Sequence, residues 1–186
     1  MSVTLKLPED LPNPIDDGAA SHLEGISLPD LAFPSTDGHD VNLTELYGRN
    51  VLCIYPITGR PRVSLPEGWD RIPGARGCTP QACGFRDHYK ELQSLNTGVF
   101  GLSAQTTEYQ TEARDRLHLP YQLLSDSSLR LKQHLQLPTF TAAGMELFKR
   151  LTLIADNGRI VKVFYPVFPP ERNADDVLNW LRQNSK

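Results

Sequence analysis

The stretch NVLCIYP, residues 50 to 56, sets Val51, Leu52, Cys53, Ile54 and Tyr55 side by side before a proline. Successive side chains of a strand point to opposite faces, so this run is apolar on both. A strand of that kind is stable inside a sheet covered on both sides. The next segment supplies a cover. In PQACGFRDHYKELQSL, residues 80 to 95, Ala82, Phe85, Tyr89, Leu92 and Leu95 recur at steps of three and four. Arg86, Asp87, Lys90 and Glu91 fall on the opposite side, and the pattern predicts an amphipathic helix. Thr79 as N-cap and Pro80 in the first turn start that helix beside Cys78.

The alternation continues along the chain. GVFGLSA (98–104) reads as a strand, TTEYQTEARDRL (106–117) as a helix, YQLLSD as a short extended piece and SSLRLKQHL (127–135) as a short helix. RLTLIAD and RIVKVFYP flank Asn157-Gly158, the signature of a hairpin turn. A last helix, NADDVLNWLRQ, takes Asn173 as its cap and carries Val177, Trp180 and Leu181 on one stripe. Asp37-Gly38 marks a turn between two short extended pieces near the start. Together these predict the α/β class, a mixed central sheet flanked by helices on both faces. Residues 1–25 are rich in Pro, Asp and Gly without periodicity, and are expected to form an arm outside a single domain spanning 26–186.

Composition narrows the function. With 39% hydrophobic and 22% charged residues and a net charge of −3, the chain has the make-up of a soluble globular protein and no basic excess for nucleic acid or membrane surfaces. No window holds the roughly 18 apolar residues of a membrane span. Prolines and acids stand where a signal peptide needs an apolar run, which points to the cytoplasm. There, cysteines are reduced, catalytic or sensing more often than structural.

Cys78 and Cys83 lie in GARGCTPQACGFRD, residues 74–87. A helix N-terminus favours an anion, and Arg76 stands two residues before Cys78, so Cys78 is the cysteine best placed to be held as thiolate. Cys83 lies a turn inside the helix without that help. Residues five apart in a helix are separated by about 7.5 Å along the axis and roughly 140° around it. Their Cα atoms then lie beyond the roughly 7 Å limit for a disulfide, so bonding requires the first turn to unwind. Such a pair suits a cycle in which Cys78 is oxidised and Cys83 captures it. Other readings stay open on the residues alone: two buried space-filling thiols, or a cysteine hydrolase using one of the histidines. A metal site of Cys78, Cys83 and His88 is disfavoured, because two steps of five do not share a helix face. Cys53, inside an apolar strand, reads as an inert core thiol.

GCTPQACGFRD resembles the GCT-x-x-A-C-x-x-R-D signature of the Q-type, bacterioferritin-comigratory-like branch of the peroxiredoxins. SLPDLAFPSTDGHDVNLTELYGRNVLCIYP is similar to that family's opening segment, and FKRLTLIADNGRIVKVF to the strand bearing its active-site arginine and the following hairpin. The resemblance implies a thioredoxin-like fold and reduction of hydrogen peroxide or alkyl hydroperoxides without a cofactor. By position, Cys78 is then the peroxidatic and Cys83 the resolving cysteine. Arg150 holds the thiolate and polarises the peroxide, and Pro56 is the proline of the P-x-x-x-T-x-x-C loop. The implied partners are a peroxide and a reductant such as thioredoxin or glutaredoxin, with the protein a monomer or homodimer.

The chain departs from the family in one region. Tyr55 and Pro56 precede Cys78 by more than twenty positions, so residues 57–77 contain an insertion of about fifteen. Ala75 stands where the family has threonine or serine, and Thr58 would supply the missing hydroxyl if the insertion folds back. The insertion carries Arg60, Arg62, Arg71 and Arg76 against Glu67 and Asp70, with Trp69 near its middle. It reads either as a solvated excursion or as a partial lid adding positive potential around Cys78. Two alternatives to peroxide turnover are a peroxide sensor that changes a binding surface and a thiol–disulfide oxidoreductase, the latter weakened by the absence of CxxC.

Overall fold

A computed structural model describes residues 7–184. Strands β1 (Ala32–Pro34) and β2 (Asp40–Asn42) form an antiparallel hairpin whose turn includes Gly38 at φ 84°, as Asp37-Gly38 predicts. Strand β3 (Arg49–Ile54) follows, and every residue in it after Arg49 is buried. It is the centre of a mixed sheet. β4 (Thr97–Ser103) runs parallel to β3, and β5 (Gln122–Ser125) runs parallel to β4. A separate hairpin pairs β6 (Thr139–Ala142) with β7 (Met145–Phe148). β8 (Leu151–Asp156) lies antiparallel on the other side of β3, and β9 (Arg159–Phe164) closes that edge. The sheet order is β5-β4-β3-β8-β9. Between β8 and β9, Asn157 and Gly158 both adopt positive φ, the conformation that Asn-Gly favours in a two-residue hairpin.

Each face of β3 feeds a different core. Val51 and Cys53 join Phe85, Leu92, Val177 and Leu181, presented by α1 (Cys78–Asp87), α2 (Tyr89–Ser94) and a C-terminal helix, Asn173–Gln183. Helix α3 (Thr107–Leu117), capped by Thr106 Oγ1, adds Leu117 to the same side. Leu52 and Ile54 join Phe33, Leu43, Leu131 and Leu135 on the opposite face. There the cover is one short helix, α4 (Arg130–Leu135), together with the β1–β2 hairpin. The C-terminal helix is α5 below.

Four local expectations change. The helix expected over 80–95 starts earlier, at Cys78, because Gly77 at φ 110° turns the chain and occupies the N-cap position instead of Thr79. It also breaks at His88, separating α1 from α2. The β6–β7 hairpin was not visible as periodicity; its turn rests on Ala143 and Gly144, both at positive φ. Asn173 does not cap α5, since no side chain makes a capping bond there.

The fourth change concerns the segment before residue 26. Ala20 and Leu23 are buried in the core beside Leu28 and Phe33, so this segment is no detached arm. Replacing Leu23 with alanine is expected to cost about 2–5 kcal/mol of stability. An unchanged urea midpoint would show instead that the segment is peripheral. Further back, Lys149 Nζ and the Tyr165 hydroxyl each donate to Asp17 at 2.8 Å and hold its pKa down to about 2. The sign follows from the depressed folded value. This tether contributes fully above the ordinary carboxylate pKa of about 3.9 and is lost as pH falls through about 2. The Lys149 and Asp17 side chains are each more than a third exposed, so the contribution to global stability is small and the effect is local. Protection from hydrogen exchange around residues 13–19, taken relative to the intrinsic rate at each pH, is therefore expected to stay flat from pH 7 to about 4 and to fall below it; no fall down to pH 2 would count against the tether.

Candidate active site

The site lies where β3 ends and β8 begins. The register pairs Ile54 with Leu151, which brings the residues after β3 close to Arg150 at the foot of β8. Across from them α1 begins at Cys78. Two demands at Gly77 place it there. The backbone is left-handed, and a Cβ would lie 2.3 Å from Pro170 Cγ. Glycine alone meets both. Cys78 thus occupies the first helical position, at the positive end of the helix, and is 5% exposed.

Arg150 is itself buried, and its guanidinium faces the sulfur. Nη2 lies 3.2 Å from Cys78 Sγ and donates as well to the carbonyls of Ala75 (3.0 Å), Arg76 (3.3 Å) and Gly74 (3.4 Å). Nη1 donates to Gln81 Oε1. The loop 74–76 therefore wraps the guanidinium, and α1 grips its other arm. A cation fixed in this way, out of water, stabilises negative charge on sulfur far better than a solvated side chain would.

Gln81 did not stand out in the sequence. The signal was present, because residues three apart on a helix share a face, and Gln81 is three after Cys78. Its Nε2 donates to Asn173 Oδ1 at 2.9 Å, and the same oxygen accepts from Thr152 Oγ1 at 2.7 Å. Tyr121 donates its hydroxyl to Ala82 O at 2.9 Å and so braces the middle of α1.

The other predicted residues are distributed around the sulfur. Pro56 is buried at the exit of β3. Ala75 is buried with its carbonyl on Arg150 and 3.9 Å from Sγ. Thr58 shares with Cys78 the wall of a narrow cavity of about 10 Å³, so the chain does return toward the thiol. Its hydroxyl, however, donates to Gln105 Oε1 at 3.2 Å, and its backbone N–H uses the same oxygen at 2.9 Å. Cys83 is half-buried one turn along α1, and burial pushes its thiol up. Cys53 is buried as expected, with its thiol also pushed up by burial, though it borders the same narrow cavity.

On its other side Cys78 opens into a cleft of about 340 Å³, and the insertion builds much of that cleft's wall. Trp69 lines the cleft but is itself buried, tilted against Phe140 at a ring separation of 5.8 Å and packed with Ala75 and Leu147. The insertion thus has a small core of its own. Arg60 and Arg76 line the cleft, joined by Arg116 from α3, whereas Arg62 and Arg71 are exposed and do not. Arg60 lies over the Tyr109 ring at 3.8 Å, and Arg76 pairs with Asp70 at 2.7 Å. Two of the insertion's four arginines thus line the cleft, and each is paired with a carboxylate, Arg60 with Glu112 at 3.6 Å and Arg76 with Asp70.

The mixed sheet, which sets a cysteine on a helix N-terminus against a buried arginine, is of thioredoxin-like fold. The chain belongs to the redoxin family, whose profile matches residues 23–178. It is 29% identical to peroxiredoxin Bcp of Escherichia coli over 165 residues, 87% of this chain and 96% of that one. It is 35% identical to peroxiredoxin bcp1 of Schizosaccharomyces pombe over 102 residues, 55% of this chain and only 46% of that relative's length. The crystal structure of peroxidoxin BcpB from Mycobacterium tuberculosis superposes with a TM-score of 0.72 at 25% identity, covering 89% of this chain and 100% of that one. Among the described residues no helix is long and apolar enough to cross a membrane.

Proposed function

We propose that the protein is a two-cysteine, thiol-dependent peroxidase acting on hydrogen peroxide or alkyl hydroperoxides. One observation carries the reading: the 3.2 Å contact between Arg150 Nη2 and Cys78 Sγ, at a helix N-terminus facing an open cleft. The relatives named peroxiredoxin support it. The Cys78 thiolate attacks the terminal peroxide oxygen. The O–O bond breaks, Cys78 becomes sulfenic acid, and the departing alkoxide or hydroxide takes up a proton to leave as alcohol or water. Arg150 holds the thiolate and neutralises charge developing on the peroxide. Pro56 shapes the loop, and Thr58 is a wall of the cavity with its hydroxyl engaged by Gln105.

The first turn of α1 then unwinds. Cys83 attacks the Cys78 sulfenic sulfur, water leaves, and a disulfide forms between them. An external dithiol of the thioredoxin or glutaredoxin type reduces it by exchange. This cycle belongs in a reducing compartment, which we take to be the cytoplasm, and needs no partner subunit; a monomer and a homodimer serve it equally. Residues 57–77 act as the cleft's partial lid. Stopped-flow mixing of reduced protein with hydrogen peroxide, followed by mass spectrometry, tests the reading. Fast consumption ending in a Cys78–Cys83 disulfide is expected, and slow oxidation without preference for Cys78 would overturn it.

A further inference from the structure

We propose that Asn173 is a positioning residue that both sets Arg150 against Cys78 and latches the first turn of α1. An asparagine at a helix start ordinarily caps its own helix, but the side chain of Asn173 does no such work. It is 1% exposed and turned toward the site. Its Oδ1 accepts two hydrogens, from Gln81 Nε2 and from Thr152 Oγ1, and both donors are buried.

That double acceptance gives the network its direction. The Gln81 amide must aim its NH2 group at Asn173, which leaves Oε1 to accept from Arg150 Nη1. Turned the other way, the NH2 group would meet a guanidinium that only donates. Thr152, on β8, ties Asn173 to the central sheet, so the chain of bonds runs from a rigid strand through α5 and α1 to the arginine. Arg150 touches the sulfur, whereas Asn173 acts only through Gln81.

The same bond has a second consequence, which rests on the proposed Cys78–Cys83 cycle. Gln81 belongs to the first turn of α1, the turn that must unwind before Cys83 can reach Cys78. Opening it breaks the contacts of Gln81 with Asn173 and with Arg150. Asn173 therefore favours peroxide attack and opposes disulfide formation. Removing its oxygen should move the two steps in opposite directions, which simple destabilisation does not do.

The test measures both steps in single-turnover mixing with hydrogen peroxide. For Asn173→Ala, attack on peroxide is expected to slow about tenfold, the effect of losing one buried hydrogen bond, while disulfide formation speeds up several-fold. Less sulfinic acid should then accumulate at high peroxide. Asn173→Asp keeps an oxygen for both donors, and because its added charge also acts on the site it tests the latch alone, with disulfide formation expected to stay near wild type. Both steps unchanged in Asn173→Ala would overturn the proposal. So would both slowing together, with disulfide formation slowed equally in Asn173→Asp. Thr152→Val, a milder change should the alanine variant fold poorly, is expected to show the same opposed pair at smaller size, and no shift in either step would overturn it. If the wild type forms no Cys78–Cys83 disulfide, the cycle falls rather than the positioning role. Attack measured in a Cys83→Ser background then decides: slowing by Asn173→Ala supports that role, and no slowing ends it.

Discussion

Replacing Arg150 with methionine is expected to slow the reaction of Cys78 with hydrogen peroxide by about 10²–10³-fold, the usual cost of losing one preorganised donor to developing charge. The large value follows from burial. Arg150 is 4% exposed, and its Nη2 is the side-chain donor that faces Sγ at 3.2 Å. Water has little room to take its place. Methionine keeps much of the volume and removes both the charge and the fork. Gly74 O, Ala75 O, Arg76 O and Gln81 Oε1 lose a donor at the same time, so the melting temperature should fall as well. Stopped-flow rates taken well below the melting transition separate the two effects. Arg150→Lys restores a cation without the two-armed geometry and should recover only part of the rate. A methionine variant reacting within a factor of two or three of wild type would remove Arg150 from the mechanism.

The second large effect concerns Cys83. In Cys83→Ser the first oxidation should proceed at an undiminished rate, because Cys83 is half-buried a turn away from the sulfur that reacts. Turnover with a thioredoxin-type reductant should collapse by about 10²-fold or more, since direct exchange needs a disulfide to attack. Mass spectrometry should find Cys78 as sulfenic acid, passing to sulfinic acid with excess peroxide. Burial holds the Cys83 thiol up in the closed helix, so it becomes a competent nucleophile only as the turn unwinds. Undiminished cycling in the serine variant would mean that the reductant attacks Cys78 directly and that Cys83 is a packing residue.

Much of this molecule could be read along the chain. The apolar run of β3 predicts a buried central strand, and the alternation of Val51 and Cys53 with Leu52 and Ile54 does feed two separate cores. Asn157-Gly158 specifies its own turn, and the three-and-four spacing of Phe85, Tyr89 and Leu92 specifies which side of the helix is covered. The placing of Cys78 beside a helix start was also legible, because glycine and proline act on the backbone locally, although Gly77 and not Thr79 holds the cap position. What these features share is short range: each depends on a residue's own φ or on neighbours within one turn.

The remainder depends on partners far away in sequence. Leu23 enters the core because the sheet face formed by later strands leaves apolar surface to cover, although its own segment has no periodicity to announce it. Trp69 finds Phe140 only once the insertion has folded back onto the β6–β7 hairpin. Asn173 looks like a cap by composition, yet its oxygen takes donors from Gln81 and Thr152, 92 and 21 positions away. A polar side chain at a helix start can satisfy its own backbone or a distant group equally well, and burial decides between them, because a buried donor left without a partner is costly. Local chemistry in the sequence thus determined most of the elements and set Cys78 at a helix start. Only the packing of those elements decided which groups hold Arg150 against it.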